Sequence, residues 1–237
     1  WGAPATNALP TGQQNITGAT ITDNTSKHPD TPTMTIAQDA NVNTGYITWN
    51  TFNIGREATV NFKQQSSGQT MVNSVLQSGG LSEIYGKMNA TGNVVLINPN
   101  GVVFNGAAVN VGGLAVYATS SMDATEFNKD LTQGNITIIN STITAGIGDK
   151  ATMAKNMGIT DYAVGLAANS NKIRLVADGS VNLNGATLTA VDKSIVSGDT
   201  VQGVEAFEMG GNASVAYGQV IIRSDANADD YGTVTIS

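Results

Sequence analysis

Apolar positions in this chain come in short runs broken by asparagine- and glycine-rich stretches. The most regular lie within residues 81–118, where residues 94–97, 102–104 and 114–117 are β-branched or apolar. Runs this short predict strands rather than helices, which need ten or more periodic residues. The break Asn98-Pro99-Asn100-Gly101 reads as a tight turn: proline presets φ, Asn100 tolerates a left-handed conformation, and Gly101 suits the turn's end. Each strand matches one side of a small square coil, and each corner is too tight for a helix.

The pattern continues along the chain. Residues 34–36, 60–62, 71–76, 135–139, 142–144, 163–166, 172–177, 180–184, 186–190 and parts of 214–236 read as further strands. The pieces around Ile173, Val181 and Leu188 return at short, even intervals, and a recurrence about every 20 residues is the mark of a solenoid. The fold class expected is all-β, a right-handed parallel β-helix in which each rung buries its inward side chains against the next. Residues 1–22 are expected to cap the open first rung, with 5–22 covering its edge. Residues 23–237 form the coil, with insertions near 123–134 (a loop or short helix), 149–161 and 191–213. Trp49, Phe52, Ile54, Leu96 and Phe104 are expected in the core. An aromatic sugar platform at Trp49 and Phe52 is the competing reading.

Composition fits this picture. Only 12% of residues are charged, where surface helices would need many Lys and Glu. Thr and Asn suit wet strand faces, and Gly and Asn suit corners. A formal charge of −7 argues against nucleic acid and anionic membrane as partners. No apolar run is long enough to span a bilayer as a helix, so stable membrane insertion is not expected. The absence of cysteine excludes disulfides, thiol nucleophiles and cysteine-ligated zinc.

The candidate chemistry is thin. His28 is the only histidine and sits in a proline-flanked turn, which excludes histidine triads and multi-histidine metal sites. The acids Asp123, Glu126, Asp130, Asp161, Asp178, Asp192, Asp199, Glu205 and Glu208 are scattered, with none paired at strand spacing. Lys172 and Arg174 share a strand face without a matching acidic cluster. An enzyme is therefore not expected, nor a cofactor. Asp225, Asn227, Asp229 and Asp230 resemble the start of a calcium loop. The required glycine is replaced by Asp230, and no bidentate acid follows, so an exposed acidic hairpin is expected and no metal. Asn15, Asn24, Asn89, Asn135, Asn140 and Asn212 satisfy the glycosylation sequon, which arises by chance in so Asn- and Thr-rich a chain.

Ser82, Ile84, Gly86, Gly92, Val94, Leu96 and Ile97, followed by Asn98, Pro99, Asn100, Gly101, Val102 and Phe104, carry a family resemblance. In this register they resemble the two-partner secretion (TPS) domain of filamentous haemagglutinin-like exoproteins. Ala8 to Gly12, reading A-L-P-T-G, is similar to the start of mature members, and Trp49, Phe52 and Ile54 match a W-x-x-F-x-[IV] segment. A second family motif falls at Gln64, Gln65, Ser66 and Ser67, where the family proline is missing. The resemblance implies a secretion-targeting domain, read unfolded by the periplasmic POTRA domains of a dedicated outer-membrane β-barrel. Asn98 to Val102 would take part in that recognition. It also implies a monomer exported through the periplasm to the surface or exterior of a diderm bacterium. There the domain folds and templates a larger exoprotein of adhesin or haemolysin type. The start at Trp1, without methionine or signal segment, fits a processed or excised N-terminal piece. The alternative is a folded carbohydrate- or receptor-binding adhesin module.

Overall fold

The computed structural model of the chain describes residues 2–122, 133–191, 193–196, 206–210 and 218–237, the third and fourth stretches as backbone alone. The expected parallel β-helix is present. The described strands stack in three sheets, each visited once per turn of the coil. The first face carries Thr44–Trp49, Thr70–Val75, Asn93–Ile97, Gly113–Ala118, Lys172–Ala177 and Gln219–Arg223 in parallel. The second carries Ser82–Ile84, Val102–Asn105, Ile136–Ile139, Val181–Asn184 and Val234–Ile236. The third carries Thr33–Gln38, Thr59–Lys63, Lys87–Ala90, Ala108–Val111, Thr142–Ala145 and Thr187–Ala190. The section therefore has three sides, not the four of a square coil. Strands this short, meeting at glycine and asparagine corners, close after three.

Unbroken register makes the core. On the second face Ile84, Phe104, Ile138, Leu183 and Ile236 lie above one another, pointing inward. Phe62 on the third face stands beside Ala90, so a large ring meets a small neighbour. Trp49, Phe52, Ile54, Leu96 and Phe104 are all fully buried in this stack. The sugar-platform reading of Trp49 and Phe52 is therefore corrected: their rings meet edge to face, centroids 5.8 Å apart, inside the coil. The indole N–H of Trp49 donates to Asn73 Oδ1 at 3.0 Å, because a buried indole needs a partner.

At the N-terminal end, Gln14–Thr17 runs antiparallel along Thr44–Trp49 and Ala19–Asp23 along Thr33–Gln38, covering two strand edges. Towards the other end, Lys193–Val196 and Ala206–Gly210 lie antiparallel on the third and first faces. A short helix, Ala151–Asn156, sits outside the coil between Thr142–Ala145 and Lys172–Ala177.

Two further readings are corrected. Residues 163–166 do not form a strand: Ala163 makes one isolated bridge to Ser66, and the chain around it is a strap across a corner. Residues 225–230 are not an exposed hairpin, since Asp225 and Asn227 are buried. Asp225 Oδ1 accepts from the Asp229 N–H at 2.9 Å, and Asp229 Oδ1 from the Tyr231 N–H at 3.0 Å. These aspartates cap their own loop, whose Asp225, Ala228 and Asp230 have positive φ. The proposed loop or helix at 123–134 falls largely outside the described residues. So do Asp123, Glu126, Asp130, Asp192, Asp199, Glu205 and Asn212, and the side chain of Glu208.

Two outcomes follow from this architecture. A far-ultraviolet circular dichroism spectrum should be dominated by β signal, with helix far below the roughly one third of ordinary domains. Phe104→Ala, which empties a sealed position, should lower unfolding free energy by about 3–5 kcal/mol in urea titrations.

Candidate functional site

Asn98, Pro99, Asn100 and Gly101 form the corner between the first and second faces. The Gly101 N–H donates to Asn98 O at 3.0 Å, closing the turn. The positive φ of the turn falls on Gly101 (φ 114°), while Asn100, which would tolerate one, does not take it. Proline at the first central position and glycine at the end of the turn is the arrangement of a type I turn, whose second central residue keeps negative φ. A Cβ on Gly101 would lie 2.8 Å from Asn135 O and 3.0 Å from Leu81 Cδ2.

Asn98 is fully buried, and each of its polar groups is used. Its Oδ1 accepts from the Asn100 N–H at 3.0 Å, while its Nδ2 donates to Gly80 O and Ser82 Oγ, both at 2.9 Å. Its backbone N–H donates to Tyr117 O at 2.9 Å. Asn100 Nδ2 reaches Gln77 O at 2.8 Å. The Val102 N–H donates to Asn135 O at 2.9 Å, so the turn ties the rung below to the rung above.

Gln64, Gln65, Ser66 and Ser67 lie at another corner, between the third face and the first. Gln64 is fully buried; its Nε2 donates to Gln38 Oε1 and Asn93 O, both at 3.0 Å, and its Oε1 accepts from the Gly92 N–H at 2.8 Å. The N–H of Gln65 donates to Gln69 Oε1 at 2.8 Å, and the N–H of Gly68 to Ser66 Oγ at 3.0 Å. Ser67 Oγ donates to Gly165 O and accepts from the Gly165 N–H, both at 2.8 Å, fastening the strap. Tyr162 adds a hydrogen bond from its hydroxyl to Thr91 O, and burial pushes its phenol up from the ordinary tyrosine value. Lys172 donates to Ala168 O at 2.8 Å; burial, then the nearby Arg174, pushes its ammonium down.

Sequence reasoning missed the partners at this corner: Gln38, Gln69, Thr91 and Asn93. One signal was present, since Gln38 ends one third-face strand and Gln64 directly follows the next. The two conspicuous motifs do not converge on one cleft. They are separate buried corners, and what they can do chemically is satisfy backbone amides without water. Among the described residues no group of three His, Asp or Glu is placed to hold a metal.

A parallel β-helix sealed at its corners by buried asparagine and glutamine is a structural solenoid built for stacking. Its sequence matches the family model described as the TPS secretion domain over residues 7–235, and the chain belongs to that family. It is a secretion domain of two-partner secretion exoproteins, which Gram-negative bacteria export through a dedicated outer-membrane transporter. Among curated proteins, a heme/hemopexin-binding protein of Haemophilus influenzae strain Rd is 43% identical over 77 residues, 32% of this chain and 8% of that protein. A second Haemophilus influenzae heme/hemopexin-binding protein is 42% identical over 82 residues, 34% of this chain and 8% of that one. The matched stretches thus span less than a tenth of those relatives. The crystal structure of the HMW1 secretion domain from Haemophilus influenzae shares the fold. It matches with a TM-score of 0.51 and 20% identity, over 76% of this chain and 41% of that one.

Asn98→Asp keeps the acceptor to Asn100 but removes the donor to Gly80 and Ser82. It should destabilise by about 1–3 kcal/mol or more, as an unmet buried polar group does. Gly101→Val should cost a similar amount through backbone strain and the clash with Asn135. Chemical denaturation of both variants, with the exposed Asn41→Ala as a neutral control, checks this. Parent-like midpoints for both would remove the corner from any account of the fold.

Proposed function

We propose that this chain is the address of a larger exoprotein of the adhesin or haemolysin type. Periplasmic POTRA domains of its outer-membrane transporter read it unfolded. It then folds outside the cell, where its last rung offers a template for the coil that follows. Residues 1–22 act as the cap that closes the first rungs, and residues 23–237 as the coil.

The observation that carries this reading is the burial of Asn98. In the folded coil its amide is committed to Gly80, Ser82 and Asn100, so no partner can reach it. Gln64 and Ser67 are equally enclosed. Sequence-specific recognition through Asn98, Gln64 or Ser67 therefore needs the extended chain. An extended chain also offers what the folded one withholds: alternating strands such as Ile136–Ile139 and Lys172–Ala177, free to add to a partner's sheet edge. In the coil these strands are paired on both sides. The reading calls for no catalytic group and no cofactor.

The test is a titration of isolated POTRA domains from the partner transporter against native chain and against chain freshly diluted from denaturant. The unfolded form should bind at least tenfold more tightly, and single side-chain changes outside the corners should alter that affinity little. Equal or tighter binding by the native form would replace this mechanism with a folded docking surface.

A further inference from the structure

Outside the coil, a groove of about 430 Å³ runs between the third face and the helix Ala151–Asn156. Its size falls in the ordinary range of small-ligand sites. One wall is a column of amides, Asn61, Asn89 and Asn110, on three successive hydrogen-bonded strands. The other wall is the helix and its end, which present Met153 and Met157, four residues apart, together with Asn156. The helix is anchored by fully buried Ala154 and by nearly buried Ile159, so this wall stands in place without a ligand.

We propose that this groove binds a segment of neutral glycan, lying along the axis of the coil. Adjacent strands are about 4.8 Å apart, so three amides in register span roughly 10 Å, the length of about two sugar units. Each side-chain amide carries an acceptor and two donors, a set that pairs with neighbouring hydroxyls. Most of that capacity is unspent: among the described residues the column makes one internal bond, from Asn89 Nδ2 to Asn61 Oδ1 at 3.0 Å. Asn110 is exposed, and its amide makes no hydrogen bond to the protein among the described residues. The two methionines supply the soft, apolar surface against which the C–H face of a sugar ring packs.

Charge selects among ligands. Among the described residues lining the groove Asp149 is the one acidic or basic side chain, and Lys150 Nζ pairs with it at 2.7 Å. Nothing in the groove therefore offers a net charge to a sulfated or carboxylated chain. A polar but uncharged lining with two apolar contacts matches a polyhydroxylated, neutral ligand better than an apolar one. The site lies apart from both buried corners, and the inference stands independently of recognition by POTRA domains.

The test uses nuclear magnetic resonance of the isotopically labelled 237-residue chain. The probes are maltotetraose, cellotetraose and the tetrasaccharide of N-acetylglucosamine, with a heparin-derived sulfated tetrasaccharide for comparison. At least one neutral probe should shift the side-chain amide resonances of Asn61, Asn89 and Asn110 saturably, with dissociation constants on the order of a millimolar. Asn110→Ala should weaken it about fivefold, the worth of one hydrogen-bonding pair. Thr152→Trp, at an exposed helix position facing the groove, should abolish binding while leaving the melting temperature unchanged. Three results would overturn the assignment: no shift of these resonances by any neutral probe at millimolar concentration, parent-like binding by both variants, or preference for the sulfated probe.

Discussion

The coil depends on one constraint: backbone amides at its corners turn away from the ladder and still have to be satisfied where water does not reach. Strand interiors meet this through register, since each N–H finds a carbonyl on the neighbouring rung. Corners cannot. At the two corners carrying the conspicuous motifs, buried side-chain amides do it instead, and each reaches several backbone groups at once. Asn98 serves the rung below and its own turn, and Gln64 joins Gln38, Gly92 and Asn93. A buried amide is tolerated only when its own donors and acceptors are filled, and here satisfaction is mutual. This explains why Asn and Gln stand where a smaller or charged residue would leave a group unpaired.

From the corners follows the core. Once the corner geometry is fixed, each strand begins at the same height in its sheet. Side chains such as Ile84, Phe104, Ile138, Leu183 and Ile236 then fall into line without any contact between them being specified separately. A slip of one residue would turn this whole column outward. The outward side shows how little of the sheet surface must be polar. On the first face Val72, Val95, Ile97 and Ala115 are also buried and form an apolar patch of their own, distinct from the interior.

Much of this was legible because it is local. Strand lengths, the solenoid recurrence, the core residues Trp49, Phe52, Ile54, Leu96 and Phe104 and the turn at Asn98-Pro99-Asn100-Gly101 follow from alternation and turn chemistry within a few residues. What was not legible depends on distant partners. Ser67 meets Gly165 across 98 residues, so the Gln64 to Ser67 segment looked like a worn motif when it is a filled corner. Residues 163–166 have the composition of a strand but serve as a strap, because the corner they cross takes their hydrogen bonds. Gly101 carries the turn's positive φ and Asn100, which would tolerate one, does not, since a type I turn keeps its second central residue on the negative side. The aspartates at 225–230 look like ligands for a cation, yet their carboxylates are directed at their own loop. The amide column at Asn61, Asn89 and Asn110 becomes a column only when three turns of coil are stacked.

The same burial that stabilises the coil separates two ways in which one sequence can be read. Before folding, the residues of the corners are exposed in an extended chain and differ from ordinary alternating strand by their amides, glycines and proline. After folding, Asn98, Gly101, Gln64 and Ser67 are inside, while Pro99, Asn100, Gln65 and Ser66 stay half-buried with their amides and hydroxyls largely engaged in the corners. On the reading proposed above, recognition through the buried corner residues and stability of the coil are mutually exclusive states of the same side chains. Closing the ladder consumes the groups that a transporter would bind, so folding on the far side would itself release the chain and oppose its return. A domain organised in this way needs no separate switch between being carried and being in place. Any surface that works after arrival has to be built from residues the corners do not use, as the groove against the third face is.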